Sequence, residues 1–204
     1  MFTLMPHTLP KRLTDPVGQT LARTGVTPNM ITTAGLAGAI VAAVLVARGQ
    51  FLAGGIVMLV ASALDLFDGM VARASGRVTL FGGVFDSLCD RLSEAAVLGG
   101  LLFRLAGQGK REEVMLAFAA VVGSLLVSYL RARAEAAGLQ LREGIFTRPE
   151  RVIVLGVGLM VDQVRIALWI LAVLANLTVL QRLWVVRGRA VALERERDGG
   201  RSAG

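Results

Sequence analysis

The sequence predicts an all-α integral membrane protein, with six transmembrane helices preceded by a juxtamembrane amphipathic helix. Three observations carry that expectation. The 204-residue chain is 54% hydrophobic and 18% charged, with a mean hydropathy of +0.64, which excludes a disordered chain and argues against an ordinary soluble domain. Nearly uncharged stretches long enough to cross a bilayer recur along it. These stretches lack the alternation over about ten residues that marks membrane β-strands. One cysteine, Cys89, permits no internal disulfide or thiolate zinc site; with His7 as the one histidine, any metal would be held by oxygen.

The elements follow in order. The N-terminal stretch to Arg23 carries Pro6, Pro10 and Pro16 and no continuous apolar segment before a small-residue cleavage site, so no signal peptide is expected. Leu13 to Leu21 suits a short helix on the membrane surface. Thr27-Pro28-Asn29 opens the first span, with a capping residue and a proline before an apolar run. Spans are expected at about 30–47, 51–73, 82–105, 114–137, 149–161 and 166–186. The fifth is the shortest, because Val152 to Val161 alone is free of charge, a length that also suits a re-entrant segment.

Charge placement decides for six. With an even count, Lys11, Arg12, Arg73, Arg77, Arg131 and Arg133 fall on the side of the termini, along with most other basic residues. The opposite side keeps Arg48, Arg104, Lys110, Arg111 and Arg165. Residues 1–190 then form one domain in the cytoplasmic (inner) membrane, and 191–204 a disordered cytoplasmic tail. The net charge of +7 reads as topogenic charge that also attracts anionic lipid headgroups. Nucleic acid is not expected as a partner, because the basic residues punctuate apolar helices rather than forming a stripe with interleaved aromatics.

Carboxylates inside a membrane are costly and point to function. Asp65 and Asp68 share a face in the last turns of the second span; Asp86 and Asp90 share a face in the first turns of the third. A short link makes these helices antiparallel neighbours, so all four lie at one depth near the cytoplasmic end. Four carboxylates in a low dielectric require cations, and clustered hard oxygens suit Mg2+ or Mn2+. Four ligands exceed the one or two that Mg2+ usually takes, which points to two ions. Helix capping or pairing with Arg73, Arg77 and Arg91 would explain one or two of the four. Gly69 and Gly82 let a ligand approach the backbone, Ala72 keeps the facing wall small, and Arg73 can pair with a phosphate.

Asp65-x-x-Asp68-Gly69-x-x-Ala72-Arg73, eight residues, then Gly82-x-x-x-Asp86-x-x-x-Asp90 resembles the complete signature of the CDP-alcohol phosphotransferase family. The segment Thr27 to Thr32 is similar to the start of that family's first span, and the six-span layout matches. The resemblance implies an enzyme that displaces CMP from a CDP-linked lipid by attack of an alcohol. It implies metal ligation by Asp65, Asp68 and Asp86, shared by Asp90, which would also take the proton of the acceptor hydroxyl. It places Gly69, Arg73 and Thr79 at the nucleotide and its pyrophosphate, together with the turn Pro28, Asn29, Met30 and Ile31. Such chemistry needs positioning and charge neutralisation, which these residue types supply. A homodimer is a further expectation from the resemblance.

The acceptor is sought at Ser128 to Glu135, which carries Arg131 and Arg133, and at Thr147 to Arg151, which carries Arg148 and Arg151. Arginine binds phosphate bidentately, so these four would cage a phosphorylated polyol; positive-inside anchoring is the other reading. Both segments are similar to those of prokaryotic phosphatidylinositol phosphate synthases. The resemblance therefore implies CDP-diacylglycerol as donor and inositol 1-phosphate as acceptor, with Arg131, Arg133, Arg148 and Arg151 on the acceptor phosphate. Glycerol 3-phosphate, the acceptor of a phosphatidylglycerophosphate synthase, is the alternative. Among the basic residues after the sixth span, Arg182, Arg187 and Arg189 are further candidates. A small ion transporter fits less well, since the acids lie at one edge and no inverted repeat is evident.

Overall fold

Polar residues cap three of the helices. The computed structural model describes residues 26–74, 79–141 and 143–201, without the side chains of Leu66, Asp68, Arg73, Ala74 and residues 195–201. Among the described residues there are six helices and no strand: α1 (Pro28–Ala47), α2 (Phe51–Ala74), α3 (Leu80–Gly107), α4 (Arg111–Ala136), α5 (Arg148–Met160) and α6 (Val164–Arg201). Thr27 caps α1 by accepting from the Met30 N–H, with Pro28 in the first helical position. Thr79 caps α3 by accepting from the Gly82 N–H at 2.9 Å. Glu150 reaches back to the N–H of Thr147 at 2.9 Å, closing the first turn of α5. Gly49 and Gly109, both at positive φ, turn α1 into α2 and α3 into α4.

The helices form one bundle. The contacts run from α1 to α2 and α3, from α4 to α3 and α6, and from α5 to α2 and α6. Small residues let the backbones meet. A β-carbon on Gly100 would overlap the Ala43 carbonyl, and one on Gly156 would come within 2.6 Å of Leu59. Met58, Leu98, Leu101, Leu155, Leu168 and Leu171 fill the centre. Ile40, Val60, Phe103, Phe118, Ile166 and Leu180 point outward, an apolar surface suited to lipid.

The expected helices appear in order, the first five with ends within a few residues, and the chain is an integral membrane protein. Among the described residues four helices, α1, α2, α4 and α6, are long and apolar enough to cross a membrane. The 13-residue α5 is too short for that measure, and α3 carries Asp86, Asp90, Arg91, Glu94 and Arg104.

One boundary is corrected. The segment from 191, expected to be disordered, continues α6 as helix to Arg201. Ala134, Leu139 and Leu141 form a small apolar cluster against Val185, Val186 and Ala190 of α6. Arg189 donates to the Gln140 carbonyl and to the Glu143 carboxylate. The surface helix expected at Leu13 to Leu21 lies outside the described residues.

Candidate active site

The end of α2 and the starts of α3 and α5 meet at one end of the bundle. Nη2 of Arg148 lies 2.7 Å from Oδ2 of Asp65 and 2.8 Å from Oδ1 of Asp90. Carboxylates from two helices thus converge on one guanidinium nitrogen, with side chains 13%, 21% and 26% exposed for Asp65, Asp90 and Arg148. The cation offsets their mutual repulsion in this partly desolvated place. Nε of the same guanidinium is buried without a hydrogen-bond partner among the described residues. Asp86 is half-buried one turn before Asp90 on the same helix face. The side chains of Asp68 and Arg73 and the link 75–78 lie outside the described residues.

The donor set fits a hard divalent cation in chemistry: carboxylate oxygens from two helices. As the side chains stand, no three acidic, His or Cys groups among the described residues are placed to hold one ion together. Arg148 already engages two of the carboxylates.

Residues expected at the nucleotide gather at the same end. A β-carbon on Gly82 would lie 2.9 Å from Oγ1 of Thr79 and 3.6 Å from Oδ1 of Asn29, so the start of α1 stands beside the start of α3. Asn29, Met30 and Thr79 are exposed, while Pro28, Ile31, Gly69, Ala72 and Gly82 are half-buried. A β-carbon on Gly35 would overlap the Asp65 carboxylate, so that glycine gives Asp65 its room against α1.

The four arginines expected at the acceptor occupy different environments. Arg148 faces the carboxylates. Arg151, 2% exposed, points into the bundle and pairs with Glu94. Arg131 is exposed and pairs with Glu135 one turn on, at 2.9 Å, and Arg133 is exposed. Of the later candidates, Arg182 is buried and donates to the carbonyls of Glu143 and Val127. Glu94 and its neighbour Ser124 were missed by the reading of the sequence. The signal was present, since Glu94 follows Asp90 by one turn and is itself an intramembrane carboxylate.

Comparison with known proteins bears on this arrangement. A family model described as CDP-alcohol phosphatidyltransferase matches residues 25–180. A phosphatidylinositol phosphate synthase of Mycobacteroides abscessus is 36% identical over 192 residues, covering 90% of this chain and 87% of that one. The crystal structure of Mycobacterium tuberculosis phosphatidylinositol phosphate synthase with CDP-DAG bound is 36% identical, with a TM-score of 0.80, over 86% of this chain and 94% of that one. The same enzyme in complex with manganese and citrate gives a TM-score of 0.79 at 36% identity, over 85% of this chain and 88% of that one.

Proposed function

The chain belongs to the CDP-alcohol phosphatidyltransferase family, and from that premise we propose that it transfers the phosphatidyl group of CDP-diacylglycerol to inositol 1-phosphate, releasing CMP. The observation that carries the reading is the meeting of Asp65 and Asp90, from adjoining helices, on Arg148 at the end where the nucleotide residues gather. The relatives named phosphatidylinositol phosphate synthase support the choice of acceptor.

Asp65, Asp68 and Asp86 would hold divalent metal, Mg2+ or Mn2+ and two ions by the count of carboxylates, with Asp90 close enough to share it. The metal supplies charge neutralisation at the pyrophosphate. Asp90 accepts the proton of the attacking hydroxyl. The new bond forms between that oxygen and the phosphorus on the lipid side, while the bridging oxygen leaves with CMP. Asn29, Thr79, Gly82 and the half-buried Gly69 border the nucleotide, and Arg73 completes its phosphate contacts. Arg131, Arg133, Arg148 and Arg151 would bind the acceptor phosphate, the exposed Arg131 and Arg133 attracting that dianion. All six helices traverse the cytoplasmic membrane, two protomers pair as a homodimer, and the site opens to the cytoplasm.

An acceptor panel tests this. Purified protein with CDP-diacylglycerol and Mg2+ is given inositol 1-phosphate, glycerol 3-phosphate, inositol or serine, and CMP is measured. Release with inositol 1-phosphate alone is expected. Release with glycerol 3-phosphate instead would establish the phosphatidylglycerophosphate reading, and release with serine would defeat both.

A further inference from the structure

Arg151 stands in the first turn of α5, and Glu94 of α3 takes one edge of its guanidinium. Nε lies 2.7 Å from Oε1 of Glu94, and Nη2 lies 2.9 Å from Oε2. The hydroxyl of Ser124 on α4 donates to the same Oε1 at 2.7 Å, so the carboxylate is itself steadied from a third helix. Nη1 donates to the Phe146 carbonyl at 3.4 Å, in the link that precedes α5.

Each Nη carries a second N–H beyond the one used in these bonds, so both nitrogens still have a donor to give. A two-pronged carboxylate contact fixes the plane of a guanidinium, and with it the direction of those remaining donors. The surroundings suit an anion. Arg182 of α6 donates to the Glu143 carbonyl in the same link at 2.9 Å, and the charges of Arg131 and Arg151 both bear on it. Guanidinium groups from α4, α5 and α6 thus gather beside one link, where a phosphate dianion would offset their repulsion.

We propose that Glu94, steadied by Ser124, is a positioning residue that aims the guanidinium of Arg151 at the acceptor phosphate. Arg151 touches the phosphate, and Glu94 acts through it. The kinetic part rests on the function proposed above; the hold of Glu94 on the guanidinium does not.

Two measurements test it. In the first, CMP release is followed for Glu94→Gln, which keeps the length and loses the charge, and for Glu94→Asp, which keeps the charge and falls short by a methylene. Each is expected to raise the KM for inositol 1-phosphate about tenfold while that for CDP-diacylglycerol stays within about twofold. A KM for inositol 1-phosphate at or below the wild-type value in Glu94→Asp overturns the proposal, because Glu94 would then be a counter-charge and no more. The same result in Glu94→Gln overturns it, as does an equal rise for both substrates. If neither variant folds, Ser124→Ala decides: a rise of about threefold for inositol 1-phosphate alone is expected, and no rise overturns the proposal. If glycerol 3-phosphate proves to be the acceptor, the same comparisons are made with it.

The second measurement needs no turnover. In protein carrying isotopically labelled arginine, the Arg151 Nε–H resonance is assigned by its loss in Arg151→Lys. It is expected to exchange slowly with water in the wild type and faster in Glu94→Asp, and equal exchange overturns the orienting contact. Inositol 1-phosphate added with Mg2+ and CMP is expected to shift this resonance in the wild type; no shift overturns the aim at the phosphate. If the wild type releases CMP with none of the acceptors, the proposed function falls, and the exchange rate still decides whether Glu94 holds the arginine.

Discussion

At the scale of single residues, Asp90 bears the most demanding role. In the proposed reaction its carboxylate accepts a proton from the acceptor while standing beside Arg148. Asp90→Asn keeps the shape and removes the base, so kcat should fall by about 10²–10⁴-fold while CDP binding by calorimetry persists. Undiminished turnover in that variant would remove Asp90 from the mechanism. Glu94 is a different case, because its loss strands a buried guanidinium. Glu94→Ala should cost about 3–5 kcal/mol, read as a lowered thermal midpoint in detergent. The two residues also differ in how legible they were. Asp65 and Asp90 could be read from sequence because an intramembrane carboxylate is expensive and their spacing completes a signature. Glu94 obeys the same energetics but completes no pattern. Nothing in the spacing of Arg151 says that it turns inward to Glu94.

At the scale of elements, the start of α1 was legible because a local cap, Thr27, determines it; Thr79, which caps α3, was read only for the nucleotide. The far end of α6 was not legible. Before that end, Leu139 and Leu141, from far earlier in the chain, pack on Val185, Val186 and Ala190. A charged tail without an apolar stripe of its own gives no sign of such a partner. Ending the chain after Val186 removes Ala190 and Arg189 from that contact. The segment 138–147 should then be cleaved faster in limited proteolysis, with fragments mapped by mass spectrometry. Unchanged protection would show that α6 beyond Val186 does not hold it. Close helix contacts make a second prediction. Gly100→Val must push α1 from α3, because even one added carbon meets the Ala43 carbonyl. A loss of about 1–3 kcal/mol or more is expected in thermal unfolding.

At the scale of the whole molecule, the composition and the placement of arginine and lysine made the membrane class readable before any contact was known. The bundle explains how two helices with poor credentials belong to it. The charged groups Asp90 and Glu94 of α3 turn toward α5, and the short α5 packs between α2 and α6. All the chemistry then collects at one end, where α1, α2, α3 and α5 bring their termini together. The central claim is that carboxylates from α2 and α3 bind divalent metal there. A Mn2+ titration followed by electron paramagnetic resonance, comparing wild type with Asp65→Asn/Asp86→Asn in detergent, tests it most directly. Saturable binding in the wild type, lost in a variant of unchanged helix content, is the predicted result. Equal binding by both proteins would contradict the account.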